Sequence, residues 1–182
     1  MKIGTIGAGA FAQAFARKAL QAGHTVKLSN RHGPDSLREI VHQLGPGAIA
    51  AAKEEAAACE MVLLAVPWDN VPETLTSLPE WNNQVLIDGT NPFHGEAGNF
   101  TPANVGNLST SQLIAALAPG ARVVKALNTI IVPVLEADPS STRRDELHLF
   151  QQTTTARRSK LEPYSKSSAT QSLILETFAM GG

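Results

Sequence analysis

The opening of the chain, from Met1 to Ala12, restricts the fold more than any other segment. Lys2 to Ile6 is short and partly β-branched, and it runs straight into Gly7-Ala8-Gly9-Ala10-Phe11-Ala12. Phe11 to Ala22 then reads as an Ala-rich helix closed by Gly23. The order is strand, glycine turn, helix, with the spacing G-x-G-x-x-A. In that setting Gly7 permits the tight turn, Gly9 lets the backbone approach a pyrophosphate, and Ala12 lets the helix lie close on the strand. The free N–H groups at the helix start then hold the phosphates. The motif predicts dinucleotide binding.

The remainder continues the alternation. His24 to Leu28 is a second strand, and Ser36 to Leu44 a helix carrying Leu37, Ile40, Val41 and Leu44 on one face behind Asp35 or Ser36 as cap. Gly45-Pro46-Gly47 stops it, Ala48 to Ala51 is a weak third strand, and Lys53 to Cys59 a short helix. Met61 to Val66 is continuously apolar, as a strand covered on both faces of a parallel sheet must be. A helix near Asn70 to Leu78, a strand Val85 to Asp88, a long loop Thr90 to Thr110, a helix Ser111 to Ala118 and a strand Ala121 to Leu127 complete the pattern. The fold class is α/β, a doubly wound parallel sheet forming a Rossmann-like NAD(P)-binding domain. The long loop is expected to be functional, because it lies beside strand ends.

Composition narrows the class further. In 182 residues, 15 Lys and Arg offset 16 Asp and Glu, so the charge balance of a nucleic-acid-binding surface is absent. Cys59 is the single cysteine, which excludes an internal disulfide and fits a reducing compartment. No apolar run reaches a membrane span and no removable leader is recognisable. The expectations are a cytoplasmic protein with a small-molecule redox substrate, no nucleic acid, no membrane and no metal.

Several strand ends carry the candidate chemistry. The second strand ends in Ser29-Asn30-Arg31-His32 rather than in a carboxylate. With no acidic group to bind ribose hydroxyls, and a guanidinium and small polar groups to bind a 2'-phosphate, the expected cofactor is NADP. Ala65-Val66-Pro67-Trp68 and Asp88-Gly89-Thr90-Asn91-Pro92 turn at the carboxyl edge of the sheet, where ligands bind in open α/β folds. In these two turns, which also hold Val66 and Thr90, Pro67 and Pro92 fix the geometry and leave backbone and the Asn91 side chain to contact the nicotinamide half, while Trp68 serves equally as packing. Lys125 and Asn128, at the end of the last strand, are candidates on the substrate side, and His94 is the one histidine of interest. Hydride transfer needs two oriented rings more than an acid/base pair, so the absence of an obvious pair is compatible with it.

Taken together, KIGTIGAGAFA, AGHTVKLSNRHGP, LLAVPW, VLIDGTNP and ARVVKALNT resemble the NADP oxidoreductases that depend on a deazaflavin, coenzyme F-420, which are related to the N-terminal domain of pyrroline-5-carboxylate reductases. The resemblance covers roughly Met1 to Ser141. It implies that Ala8 to Ala12, Asn30 and Arg31 hold NADP, that Val66, Pro67 and Trp68 lie by the nicotinamide ribose, and that hydride passes between the nicotinamide and a deazaflavin or similar partner. It is compatible with a homodimer. One departure is Asn30, where the family more often has Ser. The alternatives are a non-catalytic NADP-binding module and a reductase of an imine or flavin substrate; the length leaves no room for the helical dimerisation domain of a pyrroline-carboxylate reductase.

Residues 1–142 are read as the NADP-binding domain and 143–182 as an atypical tail. From Glu146 to Gly182 there are no valines and no aspartates, and the only glycines are the last two. Joining the third base of each codon to the first two of the next, within codon degeneracy, permits VTFVSADD from about Leu147 and FEELGYAVIDLGDLRDGG over Ser165 to Gly182. These resemble the family's own strand, helix end and final strand. The expectation is a reading-frame slip near Arg143 to Glu146, so that the last strands are missing or replaced, the tail is poorly ordered, and Val123, Val124, Ile131 and Leu135 lose neighbours.

Overall fold

The computed structural model describes residues 1–95 and 99–137. Six parallel strands form the sheet: β1 (Lys2–Ile6), β2 (Thr25–Ser29), β3 (Ala48–Ala50), β4 (Met61–Leu64), β5 (Val85–Asp88) and, after a hairpin of β6 (Phe93–His94) and β7 (Thr101–Pro102), β8 (Arg122–Lys125). The order is β3-β2-β1-β4-β5-β8. The chain thus winds outward from β1 in one direction and then, from β4, in the other. The reversal between β1 and β4 opens a crevice at their carboxyl ends, where a doubly wound sheet binds its ligand.

Helices α1 (Ala10–Gln21), α2 (Arg38–Leu44), α3 (Lys53–Ala57), α4 (Val71–Thr76), α5 (Thr110–Leu117) and α6 (Val132–Glu136) cover the two faces. The continuous apolar strands feed both layers alternately. Met61, Leu63, Val85 and Ile87 join Ile3, Phe15 and Leu37 in one core, whereas Val62, Leu64 and Leu86 join Val71, Leu75 and Ile114 in the other. The small side chains Ala12, Ala14, Ala16 and Ala19 are fully buried and let α1 lie close on the sheet. On the opposite face Gly4 does the same for α3: a Cβ there would stand 2.0 Å from the Ala56 carbonyl oxygen.

Several local expectations need correction. Neither Asp35 nor Ser36 caps a helix over 36–44; a short 3-10 turn, Pro34–Leu37, precedes α2, and the Ser36 hydroxyl donates to the Gly33 carbonyl. The strand expected to reach Val66 stops at Leu64, and the one expected over 121–127 is only Arg122–Lys125, because Leu127 has φ +66° and cannot continue a strand. The long loop contains the antiparallel β6–β7 hairpin. Ser109 caps α5 reciprocally with Gln112, each side chain taking the other's backbone N–H, at 3.2 and 2.8 Å.

Helix α6 carried no periodic signal in the sequence. It is fixed by tertiary contacts with α1: Arg17 pairs with Glu136 at 2.5 Å, Lys18 donates to the Ala137 carbonyl at 2.9 Å, and Leu135 is buried. Of the residues expected to lose neighbours, Leu135 is therefore covered. Val123 and Val124 are half-buried and Ile131 is exposed. The expectations for 143–182 lie outside the described residues.

Candidate functional site

The crevice is built around the turn after β1. Gly7 has φ +109°, and a Cβ there would stand 2.2 Å from the Ala65 carbonyl oxygen, so both the conformation and the approach of the β4 turn demand glycine. Gly9 differs. Its backbone is extended and a Cβ would meet nothing within 4 Å, so nothing in the protein itself requires glycine at the start of α1. The space a side chain would fill lies over the helix N-terminus, where neither a side-chain cap nor a first-turn carboxylate competes for the N–H groups. That combination fits an anionic group such as a pyrophosphate. Gln13 braces the turn by donating to the Ala8 carbonyl at 2.9 Å, a contribution the motif reading missed. Phe11 packs against the core, and Gly89 leaves room for its ring.

The end of β2 supplies two different things. Ser29 is fully buried; its hydroxyl donates to the Thr5 carbonyl at 2.7 Å, and its own carbonyl accepts from Gly7 N–H at 3.0 Å. Its hydroxyl is thus spent inside the fold, joining β2 to the glycine turn, and is not presented to a ligand. Asn30 organises the following loop: its Oδ1 accepts the His32 N–H at 2.9 Å and its Nδ2 donates to Ser36 at 2.9 Å. Arg31 is exposed, with its Nε 3.2 Å from His32 Nε2, and among the described residues it pairs with no carboxylate. A guanidinium in that state can take a phosphate bidentately.

Past β4, Ala65 N–H donates to Ile6 O at 2.8 Å, and Val66 faces Gly7. Pro67 is exposed and begins a 3-10 turn, Trp68–Asn70, while Val66 and Trp68 are half-buried against the second core. Asp69, in that turn, pairs with His94 of the hairpin through Nδ1.

The β5 and β8 ends are joined by ions. Asp88 is fully buried; its Oδ1 accepts from the Thr90 N–H at 3.0 Å and hydroxyl at 2.6 Å, and its Oδ2 from Lys125 Nζ at 2.9 Å. Lys125 also donates to the Thr90 carbonyl. Lys125, expected on the substrate side, thus has its charge paired internally while its side chain stays 20% exposed, and the Thr90 hydroxyl is likewise spent on Asp88. Asn91 and Asn128 clip the two following loops together, Nδ2 of Asn91 donating to the Asn128 carbonyl at 2.8 Å. Pro92 anchors the hairpin, its carbonyl accepting from Ala103 N–H at 2.8 Å.

Gly7 to Ala12, the loop of Arg31 and the turn Val66 to Trp68 thus follow the carboxyl ends of β1, β2 and β4, neighbours in the sheet, and Asp88, Thr90, Asn91, Lys125 and Asn128 stand at or just beyond the ends of β5 and β8. Among the described residues no cluster of His, Cys, Asp and Glu is suited to a metal ion, and no helix is long and apolar enough to cross a membrane.

A model of the family described as NADP oxidoreductase coenzyme F420-dependent matches residues 2–92. The chain is 25% identical over 146 residues to metalloreductase STEAP3 of Rattus norvegicus, across 80% of this chain but only 28% of that protein. Among solved structures, a hypothetical protein from Sinorhizobium meliloti is 32% identical with a TM-score of 0.70, covering 78% of this chain and 68% of that one. A protein from Arthrobacter, provisionally described as an F420-dependent NADP reductase, shares the fold at 24% identity and a TM-score of 0.60, over 73% and 64% of the two chains.

Proposed function

Because the chain belongs to the family of NADP oxidoreductases described as coenzyme F420-dependent, we propose that it binds NADP(H) across the β1–α1 turn and exchanges hydride with a deazaflavin or similar redox partner. The observation that supports this reading is the contrast between the two motif glycines: Gly7 is demanded by the protein, whereas a Cβ at Gly9 would meet no described atom within 4 Å, which leaves that space open to a ligand. The N–H groups of Ala10, Phe11 and Ala12 bind the pyrophosphate, which suits the uncapped helix start. Arg31 binds the 2'-phosphate, and Asn30 holds the loop from which it projects. Val66, Pro67 and Trp68 shield the nicotinamide side from water, and Asn91 and Asn128 fix the loops that border it. NADP(H), when bound, supplies or accepts the hydride, the two electrons lost by one ring being gained by the other and the proton balance being met by solvent.

The test is a titration with NADPH and NADH followed by binding and by thermal shift, since a ligand of the native state raises its apparent stability. Preference for NADPH that Arg31→Ala removes supports the assignment. Equal or absent binding of both nucleotides overturns it. Tight NADPH binding without reduction of any flavin or deazaflavin favours the non-catalytic NADP-binding module.

We also propose that residues 143–182 are the product of a reading-frame slip near Arg143 to Glu146. What supports this is the change of composition after that point together with the legible alternative frame. Determining the gene sequence around those codons tests it; an intact, well-supported frame through Gly182 sinks it.

A further inference from the structure

His32 stands next to Arg31 in the loop after β2, and the way their side chains meet fixes a protonation state. Both are exposed, and Arg31 Nε donates to His32 Nε2 at 3.2 Å. A guanidinium nitrogen donates and never accepts, so Nε2 offers its lone pair, the imidazole is neutral and its one ring proton sits on Nδ1. The backbone under the pair is set by the His32 N–H, which donates to Asn30 Oδ1 at 2.9 Å, and by Gly33, which follows at φ +84°.

Among the described residues Arg31 is the charged group that meets this imidazole. Charges on the elements packed around the loop have other partners. Asp35 of the 3-10 turn pairs with Arg38 of α2 at 2.5 Å, Glu39 accepts from Gln43 at 2.8 Å, and Lys27 of β2 acts on the Cys59 thiol. His42 lies in the last turn of α2, the end far from the loop. β3 carries no ionisable side chain, and the first turn of α1 carries no carboxylate.

The His32 lone pair holds the place on Arg31 Nε that a phosphate oxygen takes in a bidentate contact. With phosphate oxygens accepting from Arg31, the neighbouring imidazole gains by donating as well, and Nε2 donates only after taking a proton. Solvent supplies that proton, Nε2 holds it, and no bond of the nucleotide changes. We propose that His32 is a second specificity residue for the 2'-phosphate and that it takes up a proton when NADP(H) binds, so that selection of NADP(H) over NAD(H) is coupled to pH. This rests on the NADP reading above. NAD(H), with a hydroxyl in that place, has no charge to stabilise an imidazolium and leaves the Arg31–His32 contact closed. The sign follows from the proton count: the complex holds more protons than its separated parts, so affinity for NADP(H) rises as pH falls through the range in which imidazole ordinarily titrates. Second protonation of the phosphate, at about pH 6, opposes the rise but is common to every variant.

The experiment measures the Kd of NADP+ and of NAD+ for the full chain at pH 8, 7 and 6 by isothermal titration, for wild type, His32→Gln and His32→Lys, with melting curves to establish that each variant folds. Gln is a neutral acceptor for Arg31 at every pH used, and Lys a cation at every pH used. For NADP+ the wild type matches His32→Gln at pH 8 and binds roughly threefold or more tighter than it at pH 6, the scale of one exposed charge pair, while approaching His32→Lys. In buffers of different ionisation heat, NADP+ binding at pH 7 takes up more protons in the wild type than in His32→Gln. NAD+ affinity is the same for all three proteins at each pH. A wild type that tracks His32→Gln at every pH, or an equal pH response with NAD+, overturns the proposal, and if NADP+ is still preferred the NADP reading stands without His32. Absence of any preference for NADP+, or of binding to either nucleotide, removes both.

Discussion

Asp88 and Lys125 form an ion pair across the carboxyl ends of β5 and β8, Oδ2 to Nζ 2.9 Å, with the carboxylate fully buried and the lysine side chain 20% exposed. The two residues are register partners in the sheet, and the pair is closed by Thr90, which donates two hydrogen bonds to the other carboxylate oxygen. A buried ion pair adds little against an apolar substitute of the same shape, but removing one partner strands the other charge. Lys125→Met is therefore expected to destabilise the fold by about 3 kcal/mol, the scale of an uncompensated buried charge. Urea denaturation measures it; an unchanged midpoint means that Lys125 is free for another role. Lys125→Met with Asp88→Asn, which removes both charges and keeps an acceptor for Thr90, should recover part of the loss.

The two motif glycines separate stability from binding. Gly7→Ala places a Cβ against the Ala65 carbonyl at positive φ and is expected to lower stability by at least about 2 kcal/mol. Gly9→Ala meets no protein atom, so its melting temperature should stay within experimental error while NADPH binding weakens. Paired melting and binding curves check this, and a Gly9→Ala protein that binds NADPH normally removes the pyrophosphate from that space.

Among the described residues Arg31 is exposed and pairs with no carboxylate, so Arg31→Ala should leave the fold intact. Loss of a charge-assisted phosphate contact predicts a roughly tenfold to hundredfold drop in NADPH affinity, with NADH affinity unchanged. Isothermal titration of both nucleotides distinguishes this from a general weakening of the site.

Burial pushes the Cys59 thiol above its ordinary pKa, partly countered by the positive charges of Lys27 and Lys2. Its Sγ also lies 3.7 Å from the Glu55 carbonyl. The raised native pKa favours the neutral thiol, so its contribution to stability is complete below the ordinary thiol pKa and is lost as the pH rises through the higher native value. The native thiol should resist alkylation at pH 7–8 and react only on unfolding; rapid labelling without denaturant refutes its burial.

If the frame slip is real, the chain re-encoded in the alternative frame after Arg143 gains strand neighbours. Within the described residues β8 is paired on one side only, to β5. The restored chain is expected to melt about 5 °C or more higher. A lower or equal melting temperature speaks for the present tail.

The alternation of strands and helices was legible because β4 is an unbroken apolar run, the other strands are short and rich in aliphatic residues, and many of the turns carry glycine or proline, signals that need no partner. The β1–α1 turn was legible for the same reason, since the glycine spacing expresses a local backbone requirement. Hairpin β6–β7 and helix α6 were not. The first is two residues on each strand and exposed, and the second is set by Arg17, Lys18 and core burial of Leu135 from a distant helix. Gly4 gave no signal at all, because what it avoids is the Ala56 carbonyl, a neighbour only in space.

By itself the sequence determined the α/β class, the place of the glycine turn at the head of the first helix, and the absence of a carboxylate at the end of β2. Local steric and periodic rules suffice for these. Only the tertiary structure decided the order β3-β2-β1-β4-β5-β8, and with it which polar side chains face a ligand and which face one another. Ser29 and Lys125 stand at strand ends as surely as Arg31 does, yet their partners come from other strands. A hydrogen bond or ion pair between strands depends on register and burial, and neither is a property of any segment read alone.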